Sequence, residues 1–313
     1  MALLAEYVLT PDVFDVTSYS GDDVCGLRLQ AVKDVLLDEG LVRNLRDGEW
    51  AKIFAGDHRP WHHRGKELIK KLVVQKRLIS HPVMNPSSPT SDSQWCDEAL
   101  SSHGAVPLDG IVVTDNIAGA YSRYPLVAPI HKLATTLWWT NRSPSVRLAR
   151  TLANYRTNLN LILRHANSIM FIDPHVDPSR PQYRDFVQLV QAAGGRTPVP
   201  LIEVHRVCYQ GSGQSRQILN SSDIEASFRA HLSGAMQTAG LVIEVFVWDD
   251  FHGRYLISDL AGISLQNGFD TTSAQNAVTT WTRLGRKDRD DIQREFDPAS
   301  NRHKLWHRFT VPQ

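Results

Sequence analysis

An α/β fold, a mixed sheet flanked by helices, is what this sequence predicts, and three observations predict it. From residue 146 onward, helix-length and strand-length segments alternate. The runs at 168–173 (SIMFID), 199–207 and 241–248 are short, apolar and bounded by turn residues, as buried strands are. The segments between them are long enough to be the crossover helices that parallel strands require.

The elements follow in order. Residues 7–16 read as a short strand broken at Thr10-Pro11. Val24, Leu27, Leu29, Val32, Val35 and Leu36 recur at near-helical spacing, and Gly40 stops that helix. Residues 64–79 predict a second helix with Leu68, Leu72 and Val73 on one face and cations on the other. The Pro- and Ser-rich stretch 80–102 predicts a loop, and Leu108–Thr114 a buried strand. Beyond it, a long helix is expected over 146–166, then the strand 168–173 and a helix over 183–193 ended by Gly194-Gly195. After the strand 199–207 comes a helix over 222–238 with Asp223 and Glu225 in its first turn, where the macrodipole favours acids. Strands are expected at 241–248, 254–258 and 262–265, and a helix at 286–295 and a strand at 306–311 close the domain. The division this suggests is an N-terminal region, 1–140, and an α/β domain, 141–313.

Apolar residues make up 42% of the 313 and charged residues 21%, so a core forms and wholesale disorder is excluded. The net charge of +1 gives no global sign of a nucleic-acid binder, although a local basic face is compatible with it. Cys25, Cys96 and Cys208 are odd in number and widely spaced, which fits neither a disulfide framework nor a zinc ligand set. A reducing cytoplasm is the expected location, with no signal peptide at the start and no transmembrane segment.

Residues 252–270 carry the chemistry. His252, Arg254 and Asp259 bracket an apolar strand, and side chains alternate along a strand, so His252 and Arg254 point the same way. An imidazole beside a fixed cation suits phosphate: one group attacks or donates a proton, the other holds the anion.

The order of elements, ending in His252-x-Arg254-x4-Asp259, resembles one repeat of the phospholipase D superfamily, whose signature is H-x-K-x4-D followed by G-S-x-x-N. The second part reads Gln266-Asn267-x-x-Asp270 at the same spacing, and the resemblance covers about residues 146–275. It implies a phospholipase D-like domain. In that family two motifs meet across a twofold axis; one histidine forms a phosphohistidine, the other protonates the leaving oxygen, and neither metal nor other cofactor is needed. With one copy visible, a homodimer sharing one site is expected. This chain has arginine where the family has lysine, a bidentate fork in place of a point charge. Asp270 stands where the family has asparagine and adds a carboxylate near the phosphate unless it pairs with Arg254 or orients a histidine. A histidine–arginine motif also resembles the phospholipase D-like domain of some microtubule-interacting-and-trafficking proteins, a lipid- and protein-binding module.

Further candidates surround the motif. Asp173-Pro174-His175 ends a strand, the sheet edge at which α/β ligands bind, or caps the following helix. Glu203 and His205 share one face of the next strand and would orient His252, touch phosphate, or simply form a polar edge. His58, His62, His63 and His81 lie near Arg59 and Arg64 without metal-ligand spacing, so an exposed basic loop is expected there. The cations of 64–79, and the tail Arg302, His303, Lys304, His307 and Arg308 around Trp306, suit a nucleic-acid backbone or a solvated face.

The expected function is a metal-independent phosphodiesterase, foremost a nuclease, acting on nucleic acid or phospholipid. His252 would be nucleophile or general acid, Arg254 the phosphate clamp, Asp259 a support, and Asn267 a donor to phosphate or to the partner histidine. The alternatives are a non-catalytic module that binds phospholipid, nucleic acid or a protein partner through the same pocket, and a bacterial defence or toxin component.

Overall fold

The computed structural model describes residues 3–56, 59–211 and 213–312. They form two compact units, Leu4–Arg142, and Ser143 onward together with Leu3.

In the first unit, five apolar runs become strands β1 (Ala5–Leu9), β2 (Gly40–Asn44), β3 (Leu78–Ser80), β4 (Gly110–Val113) and β5 (Val127–Pro129). They form a parallel sheet in the order β3-β2-β1-β4-β5. The helices are α1 (Asp22–Asp38), α2 (Leu45–Lys52), α3 (His63–Val74), α4 (Asp92–Ala105), α5 (Asp115–Ala118) and α6 (Leu137–Thr140). Strands β1 and β4 are buried along their whole length, as parallel strands covered on both faces are. Burial there demands pairing of polar groups. Glu6 on β1 receives a bidentate pair of bonds from Arg43 on β2, 2.8 and 2.9 Å, and Arg43 also donates to the Ser102 hydroxyl and the Val106 carbonyl. The strand order reverses between β1 and β4, where buried Asp12 accepts from the Thr114 N–H (3.0 Å) and hydroxyl.

Two local expectations change here. The predicted helix over 64–79 ends at Val74, because Lys76 takes a left-handed φ of 55° and the chain turns into β3. The predicted loop over 80–102 gives way to α4, which Ser91 caps by accepting from the Gln94 N–H.

The second unit holds β6 (Ser145–Ala149), β7 (Ser168–Ile172), β8 (Leu201–Val207), β9 (Tyr209–Gln210), β10 (Gln217–Ile218), β11 (Ile243–Trp248), β12 (Tyr255–Ser258), β13 (Gly262–Leu265), β14 (Val278–Arg283) and β15 (Leu305–Val311). Its helices are α7 (Leu152–His165), α8 (Phe186–Gln191), α9 (Ser221–Ala239) and α10 (Arg286–Glu295). Eight strands make one mixed sheet in the order β15-β11-β8-β7-β12-β13-β14-β6, with β7, β8 and β11 parallel and the other neighbouring pairs antiparallel. This is the predicted fold class. Residues 146–149, expected as the start of a helix, are instead β6, because pairing with β14 outweighs the local spacing. Thr151 then caps α7 by accepting from the Asn154 N–H.

The C-terminal ends of β7, β8, β11 and β13 and the N-terminal end of β12 share one edge of this sheet. The chain runs from β7 to β8 and β11 on one side and returns to β12 on the other. Such a reversal leaves a crevice at the strand ends.

Candidate phosphate-binding crevice

Asp173 leaves the end of β7 as a fully buried side chain. Its carboxylate accepts from the His175 N–H (3.0 Å), the Tyr183 hydroxyl (3.1 Å) and the Phe269 N–H (3.1 Å). Four elements of chain therefore converge on one acid, since Arg254, just before β12, puts its Nε 3.9 Å from the same carboxylate. The Arg254 carbonyl accepts from the Leu265 N–H at 2.9 Å, which ties the arginine to the end of β13. The connection after β13 passes Asp173 closely: Gly268 has φ of 74°, and a Cβ there would lie 2.1 Å from Asp173 Oδ2 and 3.1 Å from Arg254 Cδ. Only glycine fits.

A cavity of about 530 Å³ opens over this junction, lined by His175, Arg180, Gln182, Tyr183, Gly211, Arg254, Gln266, Asn267 and Asp270. Two guanidiniums, an imidazole and side-chain amides thus face one open, polar space, a donor set suited to an anion. Arg180 is steadied by Gln210 and lies 3.4 Å from Asp177. Burial, and the cations Arg254 and Arg180, hold the His175 imidazole below the ordinary histidine pKa, although Asp173 opposes them.

Asp270 pairs with Arg150, and its carbonyl accepts from the Tyr155 hydroxyl at 2.8 Å. Its partner is therefore a residue just beyond β6. Its Oδ1 is buried without a hydrogen bond among the described residues. Burial, with nearby Asp173, raises its pKa above the ordinary carboxyl value against the pull of Arg150 and Arg254.

The remaining sequence-predicted residues are distributed as follows. His252 is exposed, two residues before Arg254, and does not line the cavity. Asp259 sits at the opposite end of β12, where it accepts from the Asn167 N–H (2.9 Å) and side-chain amide (2.8 Å) and so clamps the start of β7. Glu203 and His205 share a face, as their spacing predicts, but that face lies away from this cavity: His205 is fully buried and Glu203 lines a different one. Arg150 and Arg180 had no signal in the sequence, since the fold alone brings them to the crevice, whereas Gln266 lies in the motif stretch that spacing marked.

In the first unit, His58 lies outside the described residues. His62 caps α3, its Nδ1 accepting from the Arg64 N–H at 3.0 Å, so its proton sits on Nε2, 3.4 Å from Asp22. Asp22, His62 and His63 each bring a ligand-type atom within 4.8 Å of the others. Three of the tail's basic residues are paired within their unit, His303 with Glu295, His307 with Glu225 and Arg308 with Glu244.

Comparison with solved structures gives 28 similar chains, and three of them bear naming. A phospholipase D family member is among them. It is Nuc from Salmonella typhimurium, with a TM-score of 0.33 and 11% identity over 52% of this chain and 97% of that one. Polyphosphate kinase from Porphyromonas gingivalis gives a TM-score of 0.32 and 12% identity over 50% of this chain and 26% of that one. TrmBL2, an archaeal chromatin protein that binds DNA, gives 0.27 and 10% over 77% and 81%. No family model and no curated protein matches the chain. Among the described residues, no helix is long and apolar enough to cross a membrane.

Proposed function

We propose that the crevice at the β7–β12 junction binds a phosphodiester and cleaves it in the manner of the phospholipase D superfamily, with nucleic acid as the foremost substrate and phospholipid as the other. The convergence of Arg254, Arg180 and His175 on one open cavity carries this reading. Arg254, held beside a buried acid, grips non-bridging oxygens through its fork. His252 is the nucleophile of the reading; exposed beside the cavity and not in its lining, its side chain must turn toward the bound phosphate to attack. Its nitrogen forms a bond to phosphorus as the ester P–O bond breaks, and a second imidazole gives its proton to the leaving oxygen. Water then attacks phosphorus, the P–N bond breaks, and the water's proton returns to that second imidazole. The second imidazole is His252 of a twofold-related copy, so the active species is a homodimer. Asp259 supports the motif through Asn167, and Asn267 donates to the phosphate.

The test is cleavage of bis(p-nitrophenyl) phosphate and of DNA in chelator, wild type against His252→Ala. Turnover by the wild type that the variant lacks, from a protein that sediments as a dimer, is expected. Phosphate binding with no turnover would overturn the enzymatic reading. It would leave the second one, a binding module, which the half-buried carboxylate of Asp270 at the cavity wall favours because it opposes the further negative charge that builds up in a transition state there.

A further inference from the structure

The second unit has another cavity, of about 650 Å³, on the sheet face that carries α10 and away from the phosphate crevice. Its walls hold three carboxylates, Glu203, Glu244 and Asp297, against one guanidinium, Arg308, and the aromatic rings of Phe246 and Phe296. Strand register makes the arrangement costly. Glu203 on β8 and Glu244 on β11 are direct cross-strand partners, and like charges directly opposite repel.

Only part of that repulsion is relieved within the chain. Arg308 sits 5.0 Å over the Phe246 ring and bonds Glu244 at 2.5 Å. Glu203 has a different neighbour, the buried His205, whose Nε2 lies 3.1 Å from its carboxylate. That imidazole carries no charge, because the Trp248 indole N–H, which can only donate, points at His205 Nδ1 from 3.1 Å. Nδ1 therefore accepts, and the single ring proton on Nε2 is donated to Glu203. The ring packs against Phe246 at 4.8 Å and Trp248 at 6.0 Å. Glu203 is thus an oriented, partly exposed carboxylate whose bonded partner is neutral, beside a seat that already holds one guanidinium on an aromatic face.

We propose that this cavity binds a second guanidinium, the arginine side chain of a basic partner segment, on the Glu203 carboxylate. Arginine is favoured over lysine because a planar guanidinium forks onto a carboxylate where lysine offers only a point charge. This proposal is independent of the phosphate reading.

The probe is Nα-acetyl-arginine amide, titrated into the full chain by calorimetry, with the acetyl-citrulline amide as its neutral isostere. Saturable binding of the arginine compound is expected, weakened by salt, with the citrulline compound at least about tenfold weaker. Glu203→Gln keeps an acceptor for His205 and so preserves the fold, checked by thermal melting; it should weaken the arginine compound by about tenfold or more. Glu244→Gln serves as a second variant if the first melts early, with the same expected direction. No binding at millimolar concentration, equal binding of the two compounds, or unchanged affinity in a folded variant would each overturn the proposal.

Discussion

Gly268 brings its backbone so near Asp173 that a Cβ would lie 2.1 Å from the acid's Oδ2. The same Cβ would meet Arg254 at 3.1 Å, so one missing methyl permits the connection after β13, the buried acid and the arginine to share a junction. Gly268→Ala adds that methyl at a left-handed φ, which costs about 1–3 kcal/mol in backbone strain alone. Thermal melting should show the loss, and inorganic phosphate should bind more weakly to the fraction that remains folded. Unchanged phosphate affinity would mean that Arg254 does not hold the anion.

Asp270 gives the crevice a pH dependence of definite sign. Its pKa is raised, chiefly by burial, so the carboxyl stays protonated to higher pH than an ordinary one. As pH rises through that elevated value the wall gains a negative charge, and phosphate affinity should fall. Asp270→Asn should remove this step and bind phosphate more tightly above it. An unchanged pH profile, measured by calorimetry, would exclude Asp270 from the anion's surroundings.

Asp259 and the crevice are separable. Asp259→Ala leaves the two Asn167 donors without their acceptor, a loss of about 1–3 kcal/mol. Denaturant unfolding should report it while phosphate affinity of the folded protein stays the same. A specific loss of affinity at undiminished stability would instead give Asp259 a direct role at the anion.

Acid should destabilise the second unit through its histidines. Burial holds the pKa of His205 and His175 below the ordinary histidine value. The unfolded chain therefore takes up protons first, and stability is lost as pH falls through the ordinary value toward the lowered ones. The tautomer lock by Trp248 strengthens the case for His205, since protonating Nδ1 breaks that bond. His205→Gln should flatten the dependence of unfolding free energy on pH between about 6.5 and 5.

The first unit depends on the Glu6–Arg43 pair, both side chains almost wholly buried. Removing one partner strands the other charge, so Arg43→Ala or Glu6→Ala should cost about 3–5 kcal/mol. The double change to apolar residues of similar size should recover much of that loss. Additive losses in a double-mutant cycle would contradict the coupling.

The sheet of the second unit was largely legible because SIMFID, the 199–207 run and the 241–248 run are apolar, short and bounded, and because their intervening segments have crossover length. β6 was not, since SVRLA matches a helical pattern equally well until β14 lies beside it. The site was half legible. Alternation correctly puts Glu203 and His205 on one face, but the two faces of a sheet look the same in sequence until the covering helix is known, and α10 covers this one. Spacing marked Arg254 and Asp270, whereas Arg150, which neutralises Asp270, lies 120 residues earlier and is brought in by the β6–β14 pairing alone. In the sheet before residue 142, β1 and β4 were legible in the 7–16 and Leu108–Thr114 runs, whereas β2, β3 and β5, only three to five residues long, were not.

The pairing of β6 with β14 also bears on synthesis. Ala149 finds its partner only at Val278, and β11 waits for β15 at the end of the chain. The unit Leu4–Arg142 is continuous and has all its strands early, so it can fold while the ribosome is still translating. To pair β6 with β14 the second sheet must close over more than a hundred residues, which slows closure. Nascent chains halted before β14 should therefore resist protease through the first sheet and remain cleavable beyond it.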